Sequence, residues 1–308
     1  MAYSLKHINE LAKNDPKAFV EGTEAEFQRK LELAAKRIAG NRDKSHIILL
    51  SGPSGSGKTT TAMRLKTYLE NLGLPVCLLS MDNFFLSLEE RPKELTDWES
   101  PLCVNWALLR RCMEELSAGQ TAQVPWYDFP GGRTGGYTAM EGHADGIIIV
   151  EGIHMLNPII FDQIRDRATG IYVAPRTRII TGDDHIVRPE QIRVARRMIR
   201  DYRGRGNSLR TTISRAQDVD RGEVQYIAPN KPNASVHIDT FHDYELCILA
   251  KYLKEIPQFS SELDDAFIEE HGLSVLMQVV RELPPLDTPF VPRDSIVREF
   301  VGGSCFQY

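Results

Sequence analysis

The chain has no apolar run approaching the roughly 18 residues a membrane-crossing helix needs. Its opening, MAYSLKHINELAKNDPKAF, lacks the apolar stretch of a secretory leader. A cytoplasmic protein with no membrane partner is therefore expected. Surplus positive charge is missing too: 37 Lys and Arg against 42 Asp and Glu leave a net charge of −5. That is the wrong sign for a general nucleic-acid binder, so no nucleic-acid partner is expected and any cationic site must be local. Cysteine is scarce and unpatterned. Cys77, Cys103, Cys112, Cys247 and Cys305 are odd in number and show no CxxC spacing, which argues for reduced thiols rather than a disulfide framework or a zinc site. Internal repeats and low-complexity blocks are absent. What is there is a 308-residue chain, 42% hydrophobic, long enough for one principal domain with appendages.

Short apolar runs alternate with helix-period segments. The runs are HIILLS (46–51), PVCLLS (75–80), GIIIVEG (146–152), GIYVAP (170–175) and ASVHID (234–239). They are apolar on successive residues, which suits strands buried on both faces of a parallel sheet, and the pattern predicts a doubly wound α/β domain. Ahead of it, 1–43 reads as a helical extension. Thr23 and Glu26 suggest a capping box, Phe27, Leu31, Ala34 and Ile38 share a face, and Gly40 can end the helix. This extension is expected either to dock on the core or to form the interface of a homo-oligomer. An insertion over 82–145 follows the second strand, with one helical stretch and a turn-rich piece suited to a hairpin. The core domain is expected over 44–256, its last helix near 243–256, and a C-terminal extension over 257–308.

The stretch LLSGPSGSGKTTTAMRL carries the strongest chemical signal. Gly52, Gly57, Lys58 and Thr59 fill the pattern GxxxxGKS/T between an apolar strand and a helix. Backbone amides of such a loop form a nest for phosphate oxygens, so Gly52, Ser54, Gly55, Ser56, Gly57, Lys58, Thr59 and Thr60 are the expected nucleotide-binding set. Lys58 can reach the β and γ phosphates, and Thr59 can bind Mg2+. Glu151 closes the third apolar run, where an acid that holds the metal or its water would sit beside Thr59. Asp82 follows the second run at the sheet's carboxyl edge, where it is either a proton acceptor for an attacking hydroxyl or a turn-forming residue. The loop alone leaves GTPase, motor, helicase and small-molecule kinase open. NKPN (230–233) mimics part of a guanine-reading NKxD but lacks its aspartate.

Arginine is locally dense in RPEQIRVARRMIRDYRGRGNSLR (188–210). On a helix, Arg193, Arg196, Arg197 and Arg200 recur at spacings of three and four, and guanidinium groups grip phosphate in pairs while staying charged. The segment, about 186–215, is read as a lid that excludes water and neutralises charge on the transferring group.

In order, the P-loop, MDNFF, VPWYDF, VEGIH, the arginine segment and a C-terminal REFVGGSCF resemble the uridine kinase and phosphoribulokinase group of P-loop kinases, above all bacterial uridine kinase-type nucleoside kinases. The resemblance covers about 44–256 and recurs at 295–306. It implies ATP and Mg2+ as cofactors, a small-molecule nucleoside as substrate, and phosphoryl transfer to the 5′-hydroxyl of uridine, cytidine or a related nucleoside. It also implies roles. Asp82 would activate the hydroxyl, with Lys58, Arg197 and Arg200 as its catalytic partners. Arg193 and Arg205 would bind the donor's phosphates. Phe85, Tyr127 and Phe129 would pack around the acceptor, although a core-facing strand explains Tyr127 and Phe129 equally well. Glu99 would stand where relatives bind ribose with Asp, and Arg133 and Arg196 complete the acceptor set. The chain departs from the pattern where related enzymes place a His after YDF: it has PGG and then Arg133. His154 and His185 lie in the shared motifs and are read as structural. The alternatives are a kinase of another hydroxyl compound, such as a sugar phosphate or pantothenate, and a nucleotide-binding switch protein.

Overall fold

All five apolar runs become neighbours in one parallel sheet in the computed structural model, which describes residues 2–95 and 97–308. In chain order the elements begin with β1 (Ala2–Ser4), α1 (Leu5–Asn14), α2 (Pro16–Gly40), β2 (Ile47–Ser51), α3 (Lys58–Asn71) and β3 (Val76–Ser80). The insertion supplies α4 (Trp106–Ser117) and the strands β4 (Ala122–Asp128) and β5 (Arg133–Met140). Then come β6 (Ile147–Glu151), α5 (Pro158–Ile164), β7 (Ala168–Ala174), β8 (Arg178–Ile180), β9 (Ile186–Val187), α6 (Pro189–Arg205), α7 (Leu209–Gly222), β10 (Val236–Asp239) and α8 (Glu245–Lys254). Four short helices close the chain: α9 (Phe259–Glu262), α10 (Asp265–Glu270), α11 (Ser274–Glu282) and α12 (Ile296–Val301). No described helix is long and apolar enough to cross a membrane.

The sheet order is β10-β7-β2-β6-β3, with every pair parallel. Parallel neighbours need crossover connections, which the intervening helices supply on both faces. That explains the unalternating hydrophobicity. In β2, Ile47 and Leu49 pack with Leu79, Val150 and Leu116 on one face, while Ile48 and Leu50 pack with Phe27, Leu31 and Leu65 on the other. Fully burying one such side chain is worth about 1.5–3 kcal/mol, so Leu50→Ala is a change this layer would feel at once. A third core joins α1, α6, α8 and α11 through Ile8, Met198, Ile199, Ile248 and Leu276. Polar bonds tie both ends of the chain to the same place: Glu24 of α2 accepts from the Tyr244 hydroxyl at 2.6 Å and from Arg64, and Tyr244 also meets Ser295.

Two local expectations need correction. The long N-terminal helix starts at Pro16, capped by Asp15, whose carboxylate accepts from the Ala18 amide at 2.9 Å. Thr23 therefore lies inside the helix and bonds back to the Phe19 carbonyl; an Asp-Pro pair is itself an N-terminal signal and outranks the Thr-Glu spacing. A small second sheet, β1-β8-β9, is also present. Its strands span only two or three residues, too few for a period-2 pattern to show.

Candidate active site

The carboxyl edge of the central sheet collects the chemistry. The turn after β2 leads into α3 through Gly57, whose φ of 82° a side chain would strain. Lys58 donates to the Pro53 carbonyl at 3.2 Å across the loop. The loop is held from behind by Thr240, whose hydroxyl donates to the Ser56 carbonyl, and by Arg196, which donates to the Gly55 carbonyl. Its amides are thus presented on a braced frame, next to the positive end of a 14-residue helix.

Register places Ser80 of β3 opposite Glu151 of β6. The Ser80 hydroxyl donates to Glu151 Oε1 at 2.7 Å, and the Thr59 hydroxyl lies 3.4 Å from the same oxygen. Glu151 is buried, and desolvation together with the charge of Asp82 pushes its carboxyl up to about 7, against the pull of Lys58 and the Ser80 hydrogen bond. A divalent cation would offset that crowding. Among the described residues there is no cluster of three or more His, Cys, Asp or Glu able to hold a metal alone. A Thr hydroxyl and one or two carboxylates suit Mg2+, which keeps several waters and takes its other ligands from phosphates.

Asp82 stands in the short helical turn Met81–Phe84 just past β3. Its carboxyl is raised above the ordinary aspartate range by desolvation, with Lys58, Arg205 and Arg200 pulling it down. The residue itself is exposed to the open cleft, so the cleft walls impose the desolvation and a ligand that displaced water would deepen it. Glu99 is raised to about 7 by burial, opposed by Lys58 and Arg197 and reinforced by Asp82 and Asp97. Lys58 acts on Asp82, Glu99 and Glu151 alike, with Arg200 and Arg205 acting on Asp82 and Arg197 on Glu99.

The arginines of α6 separate into two jobs. Arg197, Arg200 and Arg205 face the cleft: Arg197 is buried with its Nε unpartnered, while Arg200 and Arg205 share the Asp201 carboxylate at 2.9 and 3.4 Å. Arg193 packs on Gly55 and pairs with Glu223 and Asp220. Arg196 does not reach the acceptor pocket. Its guanidinium is buried behind the loop, donating to Glu245, the Thr240 carbonyl and the Gly55 carbonyl, with Phe300 stacked beside it. Helical spacing put it with the others; its donors are already spent on the frame.

On the acceptor side Phe85, Tyr127 and Phe129 come together, with centroid separations of 5.8, 6.1 and 5.0 Å. Tyr127 is buried and Phe129 is exposed. Arg133 is exposed near the hairpin tip, in register with Asp128. Residues that sequence reasoning missed complete the wall. Arg91 stacks on Trp98 at 4.0 Å and Phe85 at 5.5 Å and donates to the Tyr127 hydroxyl. No motif surrounds it, so nothing in the sequence marked it. Several buried polar atoms of the predicted site residues and of His154 lack a protein partner: Ser56 Oγ in the phosphate loop, Arg193 Nε and Arg197 Nε on α6, Glu99 Oε2 and both ring nitrogens of His154. Such atoms point to places where ligand or water completes the bonding. Burial pushes His154 down to about 4, so it is neutral near pH 7.

Residues 47–246 match the sequence pattern described as the Phosphoribulokinase / Uridine kinase family. The chain belongs to that family. As a phosphoribulokinase/uridine kinase family member it is a phosphotransferase acting on a hydroxyl acceptor. Over 201 residues it is 31% identical to the uridine kinase of Macrococcus caseolyticus, covering 63% of this chain and 88% of that one. Over 222 residues it is 29% identical to the uridine kinase of Borrelia duttonii, covering 70% and 98%. Among solved structures, a candidate fructose transport system kinase from Silicibacter sp. shares the fold with a TM-score of 0.50 at 19% identity, over 68% of this chain and 98% of that chain.

Proposed function

We propose that the protein transfers the γ-phosphoryl group of Mg-ATP to the 5′-hydroxyl of uridine, cytidine or a related nucleoside. The observation that carries this reading is the place of Asp82, in the turn just past β3 at the sheet's carboxyl edge, within the electrostatic influence of Lys58, Arg200 and Arg205 and three residues before Phe85 of the aromatic cluster. Lys58 and the P-loop amides hold the donor's phosphates. Thr59 and Glu151 would hold Mg2+, which when bound neutralises charge on the β and γ phosphates. Asp82, raised by its surroundings, takes the proton of the acceptor hydroxyl as its oxygen attacks the γ-phosphorus. Arg197, Arg200 and Arg205 stabilise the negative charge spread over the transferring group. Glu99, with one carboxylate oxygen unpartnered, accepts from the ribose hydroxyls. Phe85, Tyr127 and Phe129 cover the base.

A second acceptor class, a small alcohol carrying a phosphate or carboxylate, is favoured by Arg91, a cation set among the pocket's aromatic rings. The deciding experiment is an ADP-release assay with Mg-ATP against a panel of ribo- and deoxyribonucleosides, sugar phosphates and pantothenate, with Lys58→Ala as the blank. Turnover on uridine or cytidine supports the nucleoside reading. Turnover confined to anionic alcohols replaces the substrate and keeps the mechanism.

A further inference from the structure

The C-terminal segment 296–308 carries the REFVGGSCF motif, takes no part in the reaction above and lies beyond the family match at 47–246. It nevertheless touches the phosphate loop. Helix α12 lays Ile296 against the turn, so that a Cβ on Gly57 would meet Ile296 Cγ2 at 2.8 Å. Three residues later, Glu299 Oε2 accepts from the Thr60 hydroxyl at 2.6 Å and from the Thr60 backbone N–H at 3.4 Å. The chain then reverses through Gly302 and Gly303. It brings back Tyr308, whose hydroxyl lies 3.0 Å from Thr60 Oγ1 and 3.0 Å from Ser304 Oγ.

Thr60 belongs to the first turn of α3, whose backbone N–H groups a P-loop offers to the α and β phosphates. A glutamate carboxylate meets the same requirements as a phosphate there: it is anionic, accepts hydrogen bonds and is favoured by the helix's positive end. A phosphate oxygen and Glu299 Oε2 cannot share one N–H, and at such a distance the two anions repel. The geometry points to a built-in competitor for the nucleotide. Glu299 occupies the Thr60 amide and hydroxyl and Tyr308 the hydroxyl, and a nucleoside di- or triphosphate displaces them.

The parts allow this motion. Ile296, Val297, Phe300 and Val301 are buried in the cores, and Arg298 donates to the Thr288 and Val291 carbonyls, so α12 stays while the Glu299 side chain and the tail beyond Gly302 move. Apparent nucleotide affinity is then lowered by the fraction of molecules whose tail is seated.

The inference rests on the P-loop being a nucleotide site, and the test separates the two claims. MgADP binding is measured by calorimetry on the full chain as wild type, Glu299→Gln and Tyr308→Phe. Hydrogen exchange of 302–308 in the wild type is followed with and without MgADP. Tighter binding by Glu299→Gln, on the order of tenfold, a smaller gain for Tyr308→Phe, and faster exchange of the tail with MgADP are expected. Wild-type binding with no gain in Glu299→Gln overturns the competitor alone. No binding by either protein overturns the nucleotide site and the competitor with it. Should a variant melt early, the wild-type exchange decides, because a tail equally or better protected with MgADP contradicts displacement.

Discussion

On the proposed phosphate side of the site the groups offered to a ligand are main-chain amides of one loop, braced by Thr240 and Arg196 from behind. The proposed acceptor side is assembled from side chains on separate segments, around Phe85 and Arg91, at Trp98, and at Tyr127–Phe129. Amides in a helix turn bind any phosphate, so one short motif suffices. Side chains brought together by an insertion choose a particular acceptor, and each can be exchanged without disturbing the loop. The two walls should therefore respond differently to substitution.

The sharpest contrast is chemical. Asp82→Asn keeps the cleft's shape while removing its proton acceptor, and kcat should fall by about 10^2- to 10^4-fold with nucleotide affinity kept. A near-wild-type rate would end Asp82's role. Next is the frame behind the loop. Arg196→Met leaves Glu245 buried and unpaired, so unfolding free energy should drop by about 3–5 kcal/mol, read as a lower urea midpoint. Arg200→Ala, on a half-buried side chain whose partner Asp201 keeps Arg205, should lower that midpoint less than Arg196→Met does and slow turnover more. The opposite pattern would reverse the assignment of the two arginines.

A smaller effect comes from the buried carboxylates. Glu151 and Glu99 are raised to about 7 from the ordinary 4.5. Their contribution to stability is therefore fully present below about pH 4.5 and lost as pH rises through about 7. In the absence of Mg2+, Glu151→Gln should remove part of this decline and stabilise the protein at pH 8 by on the order of 1–2 kcal/mol, even as it abolishes turnover. Melting temperatures from pH 5 to 8, with and without the substitution, check this; parallel curves would count against it. The mildest change is on the acceptor wall. Phe129→Ala on an exposed ring should raise KM for the acceptor by roughly tenfold or less and leave KM for ATP alone.

The same division explains what the sequence could reveal. The strands 46–51 and 146–152 were legible because burial on both faces leaves no alternation, and Gly57, Lys58 and Thr59 because their chemistry is contiguous in the chain. The α6 arginines were legible as a group, but a spacing of three and four cannot distinguish Arg197, turned to the cleft, from Arg196, enclosed with Glu245. Arg91 and the Glu299–Thr60 contact depend on where an insertion and a C-terminal segment fold back, with 239 residues separating the latter pair. No local pattern encodes such a meeting. The motif REFVGGSCF was visible as a motif, and only packing gave it a neighbour.

The central proposed step is phosphoryl transfer to a nucleoside. The most direct measurement is ADP release from Mg-ATP with uridine or cytidine as acceptor, in wild type and Asp82→Asn. The expected result is nucleoside-dependent turnover that Asp82→Asn loses while still binding ATP. ATP binding with no turnover on uridine or cytidine would contradict it.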